Sequence, residues 1–305
     1  MNIVAILQAA ILGLIEGLTE FLPISSSGHL IVASAALGFK DPNKTFEVVI
    51  QLGAILAVIW YYRLEIIKRV SGLLGNNLTD RKFWINIAIA TLPALILIPL
   101  EKPIKAALFK PVPVAIALIL GGIILWFVEQ RIALAFAPKR SVQPGIASSM
   151  DGLRNVLQDQ HVSQRDGQTH VDTITIRDSI IIGFAQVLAA IFPGTSRSGA
   201  TIVGAMLCGL NRQTAAAFSF FLGIPVLLGG GLLDLYKSRN ELGAISGGPL
   251  AILVGTVVSF LSALLVIGWL LKYIAKNDFK VFAIYRIVFG AIILALVGVG
   301  WLPNV

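Results

Sequence analysis

The sequence predicts an all-α polytopic membrane protein with an inverted-topology repeat, each half a re-entrant helical hairpin plus three transmembrane helices. Three observations carry that prediction. The 305 residues are 56% hydrophobic and only 13% charged, against roughly a quarter charged in a soluble domain, and the mean hydropathy is +0.86. The apolar runs are continuous rather than alternating, which excludes a transmembrane barrel. Two interrupted apolar segments, one in each half, resemble each other residue by residue.

In chain order, residues 3–22 carry Glu16 and Glu20 and stop at Pro23, and residues 28–39 are too short to span. Apolar stretches of roughly 10–14 residues are more often re-entrant or buried than spanning. Residues 3–39 therefore read as a hairpin, followed by spans at 46–62, 83–100 and 112–128. Residues 129–177 are hydrophilic and read as a solvated cytoplasmic loop rather than a metal site built on His161 and His170. A second hairpin, 178–210, is interrupted at Pro193, and spans follow at 213–236, 249–275 and 281–301. The chain divides into a first repeat, 1–128, the loop, and a second repeat, 178–305. No cleaved signal peptide is expected, because a basic n-region and an A-x-A site are missing. Cys208 lies in an apolar run, which speaks against disulfides and thiolate metal sites.

The repeat aligns Gly13 with Gly183, Glu16 with Gln186, Leu18 with Leu188, Pro23 with Pro193, Ser25 with Thr195 and Ser26 with Ser196. After a one-residue insertion, Gly28 aligns with Gly199, Ile31 with Ile202, Val32 with Val203 and Gly38 with Gly209. Three crossings per half is an odd number, so the second copy is inverted, and broken helices at matching positions point to a site between the halves. The net charge of +8 does not indicate nucleic acid, because the basic residues lie between apolar runs. With both termini outside, the inside loops and their flanks hold more than twice the Lys and Arg of the outside loops, Arg69, Arg212 and Arg286 among them. That bias favours this orientation.

The first turn reads EGLTEFLPISSSGH, Glu16 to His29. Glu16 and Glu20 share a helix face, and carboxylates deep in a bilayer line a cavity or pair with a cation. Pro23 breaks the helix, Ser25, Ser26 and Ser27 form the turn, and Gly28 lets the chain reverse. The spacing of Ser26 and His29 suits proton transfer between a hydroxyl and an imidazole. Capping of the next helix would need one serine, not three.

The second turn reads PGTSRSGAT, Pro193 to Thr201. Gly194, Thr195, Ser196 and Ser198 offer backbone N–H groups and hydroxyls, Gly199 permits close approach, and a helix N-terminus follows, a combination suited to an anion. Arg197 adds a guanidinium matched to phosphate, with an ion pair to Glu16 or Glu20 as the purely structural alternative. Carboxylates facing a phosphate require a cation between them, and Mg²⁺ binds through one or two carboxylates plus phosphate oxygens. The two turns together suggest metal-assisted phosphoryl transfer to water on a substrate from the lipid phase.

Both motifs, and FEVVIQLGAILAV at 46–58, resemble the bacitracin-resistance (BacA) family of undecaprenyl-diphosphate phosphatases over nearly the whole chain. The 129–177 loop departs from the resemblance in being longer and more polar. The resemblance implies hydrolysis of undecaprenyl diphosphate to undecaprenyl phosphate and inorganic phosphate, recycling the cell-wall lipid carrier and conferring bacitracin resistance. It implies a plasma-membrane site facing the outer side and a divalent cation, Mg²⁺ or Ca²⁺, at Glu16 and Glu20. It also implies Ser26 as nucleophile, His29 as a catalytic histidine, and Ser196, Arg197 and Thr201 as phosphate-binding residues. A homodimer is left open. Phosphatidate-phosphatase-like enzymes also carry SGH but need a histidine after the arginine of an SR motif, and none follows Arg197. A transporter or flippase for a phosphorylated lipid is the alternative, since inverted repeats with broken helices are common in carriers.

Overall fold

The computed structural model describes residues 2–41, 44–97, 101–135, 171–239 and 242–303. Most of the 129–177 loop, with His161 and His170, lies outside the described residues. The elements are α1 (Ile3–Thr19), α2 (Ser26–Leu37), α3 (Thr45–Tyr61), α4 (Arg63–Leu74), α5 (Leu78–Ile96), α6 (Glu101–Leu108) and α7 (Pro111–Ala135), then α8 (Ile176–Ile191), α9 (Arg197–Leu207), α10 (Arg212–Lys237), α11 (Gly248–Ile274) and α12 (Lys280–Gly298). No strand occurs among the described residues. Two short helical pairs, α1–α2 and α8–α9, turn at the two proline-containing segments. Asn2 caps α1 by accepting from the Ala5 N–H at 3.3 Å. Thr175 and Asp178 form a reciprocal capping box that starts α8 two residues before the apolar run.

Among the described residues, α7 (over Pro111–Ile132), α10, α11 and α12 are long and apolar enough to cross a membrane. The chain is therefore a multi-pass membrane protein. The 46–62 span is not a straight crossing on its own: α3 has 17 residues, about 26 Å at 1.5 Å per residue, and then bends by 72° into α4. The 83–100 span is also revised. Its helix starts at Leu78, and its first turns carry Asp80, Arg81 and Lys82.

The sequence predicts a loop where α4 lies. Leu64, Ile67 and Leu74 of this helix are exposed, while Arg69 is buried, and such a two-faced helix suits the edge of a bilayer. Arg69 donates to Glu65 and Asp172, each at 2.7 Å, and reaches Asp80 at 3.4 Å. Arg286 is buried as well, at 1% exposure. Both arginines are held by other protein groups. Arg212 Nε donates to Glu129 at 2.9 Å, and that carboxylate also accepts from the Phe279 N–H at 3.0 Å, joining α7, α10 and the start of α12.

Lipid tails offer no hydrophobic drive for helix association, so close backbone approach has to supply it. A Cβ on Gly13 of α1 would lie 2.2 Å from the Gly255 carbonyl of α11, and one on Gly17 would lie 2.1 Å from Ser262 Oγ. On the other side a Cβ on Gly183 of α8 would lie 2.8 Å from the Ala90 carbonyl of α5. So α1 packs on α11 and α8 on α5, while α3 packs on α10 and α7 on α12. The opposite stripe of α1, Ile3, Leu7, Ile11, Leu14 and Leu18, is exposed, as a lipid-facing surface requires.

Gly13→Leu should cost about 2–3 kcal/mol by overpacking this contact, read as a lower thermal midpoint in detergent. Gly229→Ala, with open space around it, should leave the midpoint unchanged or raise it.

Candidate active site

The two hairpin turns meet around a cavity of about 240 Å³. The first turn contributes Glu20, Ser25, Ser26 and Ser27 to its wall, and the second contributes Pro193, Gly194, Ser196 and Arg197. Gln51 of α3, Ala94 of α5, Gln186, Ala189 and Ala190 of α8, Phe109, and Val226 and Leu227 of α10 complete it. A second hollow of about 210 Å³ shares Ser27, Gln51, Phe109, Val226 and Leu227 with the first and continues to Lys44, Glu47 and Asp234.

Glu20 is the centre of the site. It is 6% exposed and sits where α1 ends. Ser26 Oγ donates to its Oε2 at 2.7 Å, and Arg197 Nη2 donates to its Oε1 at 3.2 Å. One carboxylate thus receives a hydroxyl from the first hairpin and a guanidinium from the second. The ion pair considered from sequence forms, and it forms on the cavity wall. Arg197 Nη1 donates to the Ser219 carbonyl at 3.2 Å, while its buried Nε has no partner among the described residues. Gly223 gives the guanidinium room, since a Cβ there would lie 3.0 Å from Nη1.

The short helices start alike. Ser25 (φ 69°) precedes α2 and Ser196 (φ 68°) precedes α9. Left-handed backbone at a non-glycine residue costs of order 1–3 kcal/mol and persists where the surroundings dictate it. This match pairs Ser25 with Ser196 and Ser26 with Arg197, one residue away from the sequence alignment. The insertion therefore falls just after Pro193, where Gly194 takes φ 98°. Ser26 and Arg197, the first residues of α2 and α9, reach the same carboxylate from two sides.

The pairing of Ser26 with His29 does not form. The His29 ring bonds through Nδ1 to the Ser25 carbonyl at 2.7 Å and through Nε2 to the Tyr285 hydroxyl at 2.6 Å. It also stacks on Phe289 with centroids 4.2 Å apart. The aromatic face of α12 draws the ring away from the cavity, and Glu20 takes the hydroxyl instead. Ser25 makes no side-chain cap bond, so capping does not explain the serines.

Several other candidates hold the wall in place. Ser198 Oγ donates to the carbonyls of Glu20 (3.0 Å) and Leu22 (3.1 Å), fastening one turn to the other. Ser196 Oγ caps α9 by accepting from the Gly199 N–H at 3.1 Å. Thr201 Oγ1 is 2.6 Å from Ser219 Oγ and holds α9 to α10. Thr195 and Gly199 are outside the cavity lining. Glu16, one turn before Glu20, is fully buried, and among the described residues neither of its carboxylate oxygens has a hydrogen-bond partner. Unpaired hard oxygen donors fit Mg²⁺ or Ca²⁺. Among the described residues no group of three or more His, Cys, Asp or Glu side chains surrounds them, so substrate oxygens would have to complete a coordination shell.

Sequence reasoning missed Gln51 and Gln186. The repeat alignment held a signal for Gln186, as the counterpart of Glu16. Its amide is buried on the cavity wall, with both polar atoms unpartnered among the described residues.

Residues 9–292 match the family model described as bacitracin resistance protein BacA. The chain belongs to the BacA family. It is 47% identical to the undecaprenyl-diphosphatase of Cupriavidus metallidurans over 96% of each chain. It is 45% identical to undecaprenyl-diphosphatase 1 of Burkholderia cenocepacia over 99% of each chain. To undecaprenyl-diphosphatase 2 of Rhodospirillum rubrum it is 47% identical over 97% of this chain. The family match includes both hairpin turns and every residue that lines the cavity.

Ser26 and Glu20 form one hydrogen-bonded unit, and losses from such units do not add. Glu20→Gln and Ser26→Ala should each lower kcat by about 10²-fold or more, and the double variant should lose no more than about threefold beyond the worse single one. Steady-state phosphate release checks this, and independent, multiplicative losses would contradict it.

Proposed function

We propose that the chain hydrolyses undecaprenyl diphosphate to undecaprenyl phosphate and inorganic phosphate in the bacterial inner membrane, recycling the cell-wall lipid carrier and conferring resistance to bacitracin. The observation that carries the chemistry is the Glu20 carboxylate, held at once by Ser26 Oγ at 2.7 Å and Arg197 at 3.2 Å on a cavity wall. A carrier of phosphorylated lipids needs an anion cradle but no hydroxyl poised on a base, so this contact favours hydrolysis over transport. The family membership and the names of the relatives favour it too.

In the proposed sequence Arg197 and the second turn bind the diphosphate. Ser26 Oγ attacks the terminal phosphorus while Glu20 takes its proton. The bond from that phosphorus to the bridging oxygen breaks, and undecaprenyl phosphate leaves. Water then attacks the phosphoserine, Glu20 returns its proton to Ser26 Oγ, and phosphate departs with the hydrogens of the water. Direct attack by water with Glu20 as base is the variant, and trapping a phosphoserine at Ser26 separates the two. Glu16 and Glu20 would hold the divalent cation, whose charge offsets repulsion between carboxylates and diphosphate. His29 acts in this reading by holding α2 against Tyr285.

We read the two halves, 1–128 and 178–305, as inverted repeats. The packing pattern supports this, because exchanging α1 with α8, α3 with α10, α5 with α11 and α7 with α12 maps the principal helix pairs onto one another. Both termini and the cavity mouth then face the outer side. The homodimer left open by the sequence is not needed, since one chain carries every residue invoked.

Purified protein in detergent, with no membrane to cross, should release phosphate from a C55 diphosphate. EDTA should lower the rate at least about tenfold, and added Mg²⁺ or Ca²⁺ should restore it. Absence of release from folded protein would leave the carrier reading standing.

A further inference from the structure

Behind the cavity lies a cation that the chemistry above does not use. Arg286 of α12 is 1% exposed, within an apolar interior. Among the described residues its hydrogen bonds are all to main-chain carbonyls: Pro23 (3.2 Å) and Gly194 (3.2 Å), and Leu118 (3.3 Å) and Ala117 (3.4 Å) on α7. Among the described residues it forms no ion pair. Pro23 belongs to the first hairpin turn, and Gly194 to the second, on the cavity wall. The chain makes space for the fork: a Cβ on Gly121 would lie 2.0 Å from Nη2, and one on Gly199 would lie 3.0 Å from Nη1.

A buried charge without a countercharge is costly. If α12 only had to pack against α7, an apolar side chain would do so more cheaply. Two features of Arg286 go beyond packing. Its rigid fork bonds both turns at once, so it fixes the separation between Ser26 and Arg197, which follow those carbonyls in sequence. Its positive charge is left unneutralised beside a site that receives an anion, where low dielectric strengthens its reach.

We propose that Arg286 is a positioning residue for the hydrolysis, setting the distance between the two hairpin turns while its unpaired charge favours the anionic diphosphate in the cradle. This rests on the hydrolase reading above. Two contributions follow, one in kcat from geometry and one in KM from charge, and a merely structural staple would not separate them. Lysine retains the charge but not the planar fork.

The test measures phosphate release against C55 diphosphate concentration for the full chain in detergent, with the thermal midpoint of each variant. Arg286→Lys should lower kcat about tenfold or more with KM within about threefold of wild type. Arg286→Met should lower kcat likewise and raise KM about tenfold as well. Gly121→Ala, which pushes on the guanidinium without removing it, should follow the lysine pattern and carries the test if an Arg286 variant does not fold. Wild-type kcat in folded Gly121→Ala or Arg286→Lys overturns the proposal, as does one shared KM for folded Arg286→Lys and Arg286→Met. A wild-type protein that releases no phosphate would sink the hydrolase reading itself, a result told apart because it appears before any substitution.

Discussion

One carboxylate joins the two halves of the protein. Glu20 accepts from Ser26 and from Arg197, residues that come together only because the two helical hairpins meet turn to turn. Each hairpin alone would leave an expensive group exposed to lipid: a carboxylate in one case, a guanidinium in the other. Their meeting offsets both costs and creates a polar cavity inside an apolar bundle. The remaining contacts preserve that meeting. Ser198 ties the second turn to the carbonyls of the first, Thr201 and Ser219 hold α9 to α10, and Arg286 bonds both turns from behind.

The bilayer explains why the scaffold looks as it does. Helices that gain nothing from hiding apolar surface have to approach closely, and Gly13, Gly17 and Gly183 place backbone against backbone. Large apolar side chains such as Leu7, Phe184 and Leu265 point outward instead. The polar groups turn inward and are concentrated in a few places: the cavity, the Arg69 cluster beside α4, and the Glu129–Arg212 pair between α7 and α10.

The site differs from a simple reading of its motif. In a helix, residues three apart share a face, so Ser26 and His29 look like partners. The ring instead lies against Tyr285 and Phe289, residues far away in the chain, and the serine turns to the carboxylate at the end of α1. The two turns also match each other in a register one residue away from that of their residue identities. Helix starts are set by backbone dihedrals, and the left-handed serines before α2 and α9 place Ser26 opposite Arg197, whereas residue identity had matched two serines.

The sequence by itself determined the membrane class, the two broken hairpins and the polar groups at their turns, because composition, apolar run length and proline act locally and are written in consecutive residues. Gln186 was within reach through its alignment with Glu16. Only the tertiary structure decided that Glu20 rather than His29 partners Ser26, that Gln51 joins the wall, that α3 bends into α4, and that Arg69 and Arg286 lie inside. These depend on which helix faces which, and side-chain partners tens or hundreds of residues apart leave no spacing to read.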